Sequence, residues 1–129
     1  MAEGIFKKLY GKKIFVQSAG IFDTLEIDGF TVKVCDEINV KLSKHRVRSL
    51  SEMEKDGGFI GTFDLIIPLT KESSEEAYRY STYSSVIIED WTVDEPIKNE
   101  NDIKQTLESY RQTRDVIFDK IKKRFQNYI

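Results

Sequence analysis

Lys12-Lys13-Ile14-Phe15-Val16-Gln17-Ser18-Ala19-Gly20 is the stretch whose reading decides the fold. Its Ile14-Phe15-Val16 run is β-branched and aromatic and ends in a small-residue turn, which predicts a buried parallel strand. Upstream, Ala2, Phe6, Leu9 and Tyr10 share one helical face, with Glu3 in the first turn and Lys7 and Lys8 in the last, as the helix dipole favours. A helix therefore comes before the strand. In an α/β domain such a helix crosses between two parallel strands, so the expectation is a motif whose first strand is missing.

Working outward, Asp28-Gly29 starts a second helical segment, with Phe30, Val34 and Ile38 four residues apart and Asn39 as its end. Ser51-Glu52-Met53-Glu54 reads as one short helical turn before the Asp56-Gly57-Gly58 break. Phe63 to Leu69 predicts a second strand, with Pro68 near its end. Ser73 and Glu76 have capping-box spacing for a helix reaching about Tyr83. Ser85 to Glu89 predicts a third strand, and Ile103, Leu107, Tyr110, Ile117, Ile121 and Phe125 predict one long helix over 102–128. Alternating helices and strands imply an α/β fold: a three-layer sandwich with a parallel sheet between helices on both faces and its first, central strand missing. Residues 1–129 read as one domain. Ligands of such sheets bind beyond the carboxyl ends of the strands, here the loops after Ser18, Leu69 and Glu89.

Composition narrows the function classes. Twenty basic against 22 acidic residues, a net charge of -2, give no general attraction to nucleic acid or to an anionic membrane. No apolar run approaches the roughly 20 residues that span a bilayer, and the first helix lacks a signal-peptide core, so a cytoplasmic protein is expected. A single cysteine, Cys35, excludes an internal disulfide, and with the single histidine, His45, it cannot make a Cys/His zinc site. No metal and no cofactor are expected. Cys35 lies in a predicted helix near Val34 and Ile38 and reads as a core thiol. The position six beyond it is Lys41, where a Cys/Arg phosphate loop would need arginine, and Asp36 and Glu37 would repel phosphate.

Several segments, in order, resemble the low-molecular-weight protein tyrosine phosphatases. In that family a first strand leads into a phosphate loop of Cys, five residues, Arg, Ser and usually Pro. The helix after the loop opens in a form similar to Met1-Ala2-Glu3-Gly4. Gln17-Ser18-Ala19-Gly20, Ser43-Lys44-His45-Arg46-Val47-Arg48, Phe63-Asp64-Leu65-Ile66-Ile67, Trp91-Thr92-Val93-Asp94-Glu95-Pro96 and Tyr110-Arg111-Gln112-Thr113-Arg114-Asp115 are similar to later segments. The resemblance spans nearly the whole chain.

What the resemblance implies is phosphomonoester hydrolysis through a cysteinyl phosphate, with a phosphorylated protein or a small aryl phosphate as substrate. There a thiolate attacks phosphorus, loop amides and an arginine hold the oxygens, and an aspartic acid protonates the leaving group. Asp94 is the candidate general acid, in the loop beyond a strand's carboxyl end. Glu95 stands between Asp94 and Pro96, whereas the family usually has Asp directly before Pro. Ser18 and His45 match positions that brace the phosphate loop, and Trp91 falls at the rim of the substrate pocket. Met1 falls where the family often has a residue of this kind, immediately after its Ser-Pro, so one expectation is a longer gene product carrying the loop, with Met1 an internal methionine. The other is a non-catalytic relative serving as a binding or oligomerising module, and these 129 residues are expected to be inactive. An arsenate reductase, on the same scaffold, would place a resolving cysteine pair between Thr70 and Tyr83, where this sequence has no cysteine. Without a central strand, the edges at Ile14 to Gln17 and Phe63 to Leu69 would be left unpaired, so a homo-oligomer is expected.

Overall fold

The computed structural model describes residues 1–20, 27–42, 47–55, 60–82, 84–99 and 101–128. Helices and two short parallel strands make it a mixed α/β protein. Contacts divide it into two compact units. The first comprises Met1–Ser18, Glu26–Arg46 and Glu95–Ile129; the second comprises Ala19–Leu25 and Val47–Asp94.

In the first unit, α1 (Ala2–Tyr10) buries Ile5, Phe6 and Tyr10, while Ala2 and Leu9 are half-buried, so its inward face is turned from the expected one. Gly4 permits the close approach of this helix to the 40–42 segment. A Cβ there would meet Leu42 Cδ2 at 2.6 Å and Val40 Cγ1 at 2.8 Å. Asp28 caps α2 (Gly29–Asp36) by accepting the Phe30 amide at 3.0 Å. Ile38 lies beyond this helix, and the chain turns at Asn39, which adopts φ 60°. Asparagine tolerates that left-handed conformation better than most residues.

α5 (Ile103–Arg124) carries a stripe of Thr106, Tyr110, Arg114, Ile117 and Ile121, spaced four or three apart and all buried. Ile103, expected in that stripe, is exposed, and Thr106 takes the inward place. Its hydroxyl accepts the Asn99 amide and donates to the Asn99 carbonyl, both at 2.8 Å, so the buried oxygen is satisfied. Phe6 packs edge-on against Phe125 with ring centroids 4.7 Å apart, joining α1 to the end of α5.

The expected strand at Ile14 to Gln17 is not formed. The Lys13 and Ile14 amides both donate to the Tyr10 carbonyl at 2.9 Å, so the turn after α1 takes up Ile14. Phe15 is 75% exposed. Strand propensity reports how well a side chain fits a pleated, partnered surface, and among the described residues none pairs with 14–17 as a strand.

In the second unit, the Gly20 amide donates to the Arg48 carbonyl and the Leu50 amide to the Gly20 carbonyl, each at 2.8 Å, making one parallel bridge with Ser49. Ser49 Oγ then accepts the Glu52 amide at 3.1 Å and caps α3 (Leu50–Lys55). β1 (Leu65–Ile66) and β2 (Ile87–Ile88) pair in parallel, Leu65 opposite Ile87, and are joined through α4 (Lys71–Tyr80). The cap of α4 lies three residues ahead of the expected one. Thr70 Oγ1 accepts the Ser73 amide at 3.1 Å, and Ser73 Oγ accepts the Thr70 amide at 3.0 Å.

Candidate functional site

The parallel pairing of β1 and β2 runs on past the regular strands. Carbonyls of Asp64, Ile66 and Pro68 accept from Ile87, Glu89 and Trp91 in turn, and the Leu69 carbonyl accepts from Val93 at 2.8 Å. This extension decides where the acidic loop begins. Asp94 follows directly on the last of these bonds, at the carboxyl end of the pair, and is exposed to solvent. Glu95 is exposed as well and opens the helical unit's last segment.

The turn ahead of Asp94 is held by Asp90, a residue the sequence did not single out. Asp90 Oδ1 accepts the Thr92 amide at 3.0 Å and also the Thr92 hydroxyl. Hydrogen bonds from the Thr92 and Ser74 side chains hold its carboxyl below the usual range, because they favour the charged form. Thr92 pays in backbone geometry, at φ 29°, which a β-branched residue seldom adopts. The residues on either side are held by bonds from the Trp91 and Val93 amides to the Pro68 and Leu69 carbonyls. The sequence signal was available: Asp-x-Thr is the spacing of an Asx turn. Trp91 is half-buried beside this turn, and its indole nitrogen donates to Glu89 Oε2 at 3.0 Å.

Ser18 belongs to the helical unit. Its amide donates to Glu3 Oε1 at 2.6 Å, while the other oxygen of that nearly buried carboxylate pairs with Lys7 at 3.3 Å. The end of the 12–18 stretch is thus tied to the first turn of α1. His45 lies outside the described residues. Cys35 is fully buried in α2, and burial pushes its thiol up, against the pull of the Met1 ammonium and Arg114. A thiol of that kind is a poor nucleophile, since the thiolate is the reactive form.

The Tyr110 to Asp115 segment has a clear physical task. The buried Tyr110 phenol donates to Asp28 Oδ2, so one carboxylate both caps α2 and takes the hydroxyl from α5. Burial, with Asp28 beside it, pushes the Tyr110 phenol up to about 12. Arg111 grips Glu37 with two nitrogens, Nε at 2.9 Å and Nη2 at 2.8 Å. Arg114 Nη1 reaches the same carboxylate at 2.8 Å and the Val34 carbonyl at 2.9 Å. Arg111 above all holds the Glu37 carboxyl down at about 2. Tyr, Arg and Arg at i, i+1 and i+4 on α5 therefore clamp both ends of α2. No substrate group is needed to explain these residues.

Two further features bear on ligands. A cleft of about 720 Å³ in the helical unit is lined by residues 7–17, among them Lys7, Lys8, Lys12 and Lys13. Among the described residues no cluster of His, Cys, Asp and Glu could hold a metal ion, and no helix is long and apolar enough to cross a membrane. No protein-family model and no curated protein matches the chain.

Proposed function

We propose that the chain is a low-molecular-weight protein tyrosine phosphatase-like scaffold whose 129 residues do not themselves turn over phosphomonoesters. The finer architecture that goes with this reading is a three-layer sandwich around a parallel sheet that lacks its central strand. The observation that carries it is the position of Asp94: exposed, and directly beyond the carboxyl end of a parallel βαβ pair, where such folds receive ligands. A general acid has to meet the leaving oxygen there. Trp91 borders the same turn, in keeping with a rim for an aromatic phosphate ester.

The nucleophile is the missing function. Cys35 is the only cysteine, it is fully buried, and no arginine stands six positions beyond it. In this reading the chain acts as a binding module of cytoplasmic type, its partner a phosphorylated protein or aryl phosphate only when a Cys/Arg phosphate loop is supplied. The 129-residue protein should leave p-nitrophenyl phosphate unhydrolysed above the buffer rate. Turnover abolished by Cys35→Ser would make Cys35 the nucleophile, and turnover surviving that change would place the chemistry elsewhere; either overturns the reading. In a chimera with a phosphatase strand and phosphate loop fused ahead of Met1, Asp94→Asn should lower turnover of phenyl phosphate by about 10²-fold. The loss should be smaller for an ester with a more acidic phenol. Equal losses would remove Asp94 from the acid role.

A further inference from the structure

We propose that the cleft beside α1 binds a multiply phosphorylated small molecule or headgroup, held by Lys7, Lys8, Lys12 and Lys13. The site lies wholly within the helical unit, at the end of α1 away from Met1, and is independent of any phosphatase reading.

The cleft is built by the chain doubling back on α1. The Lys13 and Ile14 amides donate to the Tyr10 carbonyl, and the Ser18 amide donates to Glu3 Oε1 at 2.6 Å. One end of the 14–18 stretch is thus fixed at the last turn of the helix and the other at its first turn. Four extended residues span about 13 Å, close to the roughly 10 Å that a helix rises over the seven residues from Glu3 to Tyr10, so the stretch returns along α1. Both arms line the cleft of about 720 Å³, which is the size of small-molecule sites. Its wall is pinned at both ends by hydrogen bonds, so little ordering is left for a ligand to impose.

The charge of this cleft exceeds what the fold requires. Residues 7–13 hold four lysines and no acidic residue. Lys7 pairs with Glu3 and Lys8 donates to the Asn39 carbonyl, each at 3.3 Å, and both lysines remain exposed. They also offset the partial negative charge at the end of α1. Lys12 and Lys13 lie beyond the last helical residue, are exposed, and pair with no carboxylate among the described residues. Neither the helix dipole nor an ion pair accounts for them. The end of α5 adds to the same field. Tyr10, in the cleft wall, donates its hydroxyl to the Lys122 carbonyl at 3.4 Å, and Phe6 packs on Phe125, which brings the 120–124 segment to this end of the unit. That segment holds four basic residues and again no acidic one. The chain's net charge of -2 is no guide here, because charges beyond about 10 Å are screened at 0.1 M salt. Ammonium groups around a concave site suit an anion of several charges, since lysine binds phosphate as a point charge and a cleft focuses the field. Half-buried Ile14 and Val16 in the wall give apolar surface to the carbon body of such a ligand.

Titration calorimetry at about 0.1 M salt should show inositol hexakisphosphate binding the wild-type protein at least a hundredfold tighter than inorganic phosphate. The double variant Lys12→Ala/Lys13→Ala should weaken that binding at least tenfold. Lys33→Ala/Lys104→Ala removes the same charge from exposed positions elsewhere in the helical unit and should change it less than twofold. All four lysines are exposed, and circular dichroism checks that both variants keep the wild-type fold. Sedimentation with phosphatidylcholine vesicles doped with phosphatidylinositol bisphosphate, reversed by the soluble probe, would make the ligand a lipid headgroup. Binding of the soluble probe without sedimentation would make it a free phosphate ester. No binding of inositol hexakisphosphate, equal losses in the two double variants, or sedimentation reproduced by phosphatidylserine vesicles of the same charge would each overturn the proposal. A single-stranded RNA that displaces the soluble probe at lower concentration would overturn it too and give the lysines to nucleic acid.

Discussion

The helical unit and the βαβ unit reach stability by different routes. Eleven of the fourteen buried apolar residues among those described fall in the helical unit, against Met53, Ile60 and Ala77 in the other. The helical unit adds two polar clamps between α2 and α5, at Asp28 with Tyr110 and at Glu37 with Arg111 and Arg114. The βαβ unit relies on local devices instead: the Thr70 and Ser73 cap, the Ser49 cap and the Asp90 turn. The side-chain clamps between α2 and α5 thus lie in the helical unit, whereas the unit that holds β1 and β2 presents Asp94 on a turn braced by Asp90 within its own loop, by the Ser74 side chain and by main-chain bonds to Pro68 and Leu69. A turn of that kind can carry an exposed functional group because little core depends on it.

The sharpest way to break this comparison is to delete matched methyl groups. Ile121→Ala, at a position 1% exposed, should cost about 2–5 kcal/mol, while Ile87→Ala, 66% exposed, should stay within about 0.5 kcal/mol. Urea unfolding of both variants measures the difference, and similar losses would place β2 in a core as dense as that around α5.

The clamp at Asp28 should come next. Tyr110→Phe should cost about 1 kcal/mol at pH 7 by leaving the Asp28 carboxylate without its phenol donor. Because the folded phenol titrates at about 12, above its ordinary value of 10.0, its contribution is complete below pH 10 and is lost as the pH rises through 12. Unfolding of wild type and variant at pH 7 and pH 11 should therefore show a narrowing gap, and a constant gap would reduce the phenol to a packing group.

The smallest effect should be at Glu37, whose side chain is one third exposed and so partly screened by water. Its folded pKa, about 2, lies below the ordinary 4.5, so its contribution is present above pH 4.5 and is lost as the pH falls through 2. Glu37→Gln should lower the melting temperature at pH 7 by a few degrees and leave it unchanged near pH 2. Equal lowering at both pH values would mean that shape rather than charge holds Arg111 and Arg114.

Local signals in the chain were sufficient for the existence of the five described α-helices, because 3.6-residue spacing is written in neighbouring residues. Even so, α4 begins at a Thr70 cap ahead of the expected Ser73, and the short 3-10 turn at Ile60–Thr62 carried no such signal. Asp28 before Gly29, Asp102 before Ile103 and the 110, 117, 121 stripe each mark an element that the structure contains. The same is true of the Leu65 and Ile87 strands, whose apolar runs are joined by a helix and so meet in parallel. Tertiary structure alone decided the rest. Ile14 to Val16 has strand composition, yet a strand exists only beside another strand, and within the described residues no strand pairs with this run, whose Ile14 amide goes to the Tyr10 carbonyl instead. Thr106 displaced Ile103 from the α5 stripe because the Asn99 backbone was there to satisfy its hydroxyl. Asp90, three residues beyond β2's start, became the brace of the Asp94 turn because ladder geometry fixed where the loop begins, a quantity no single residue encodes.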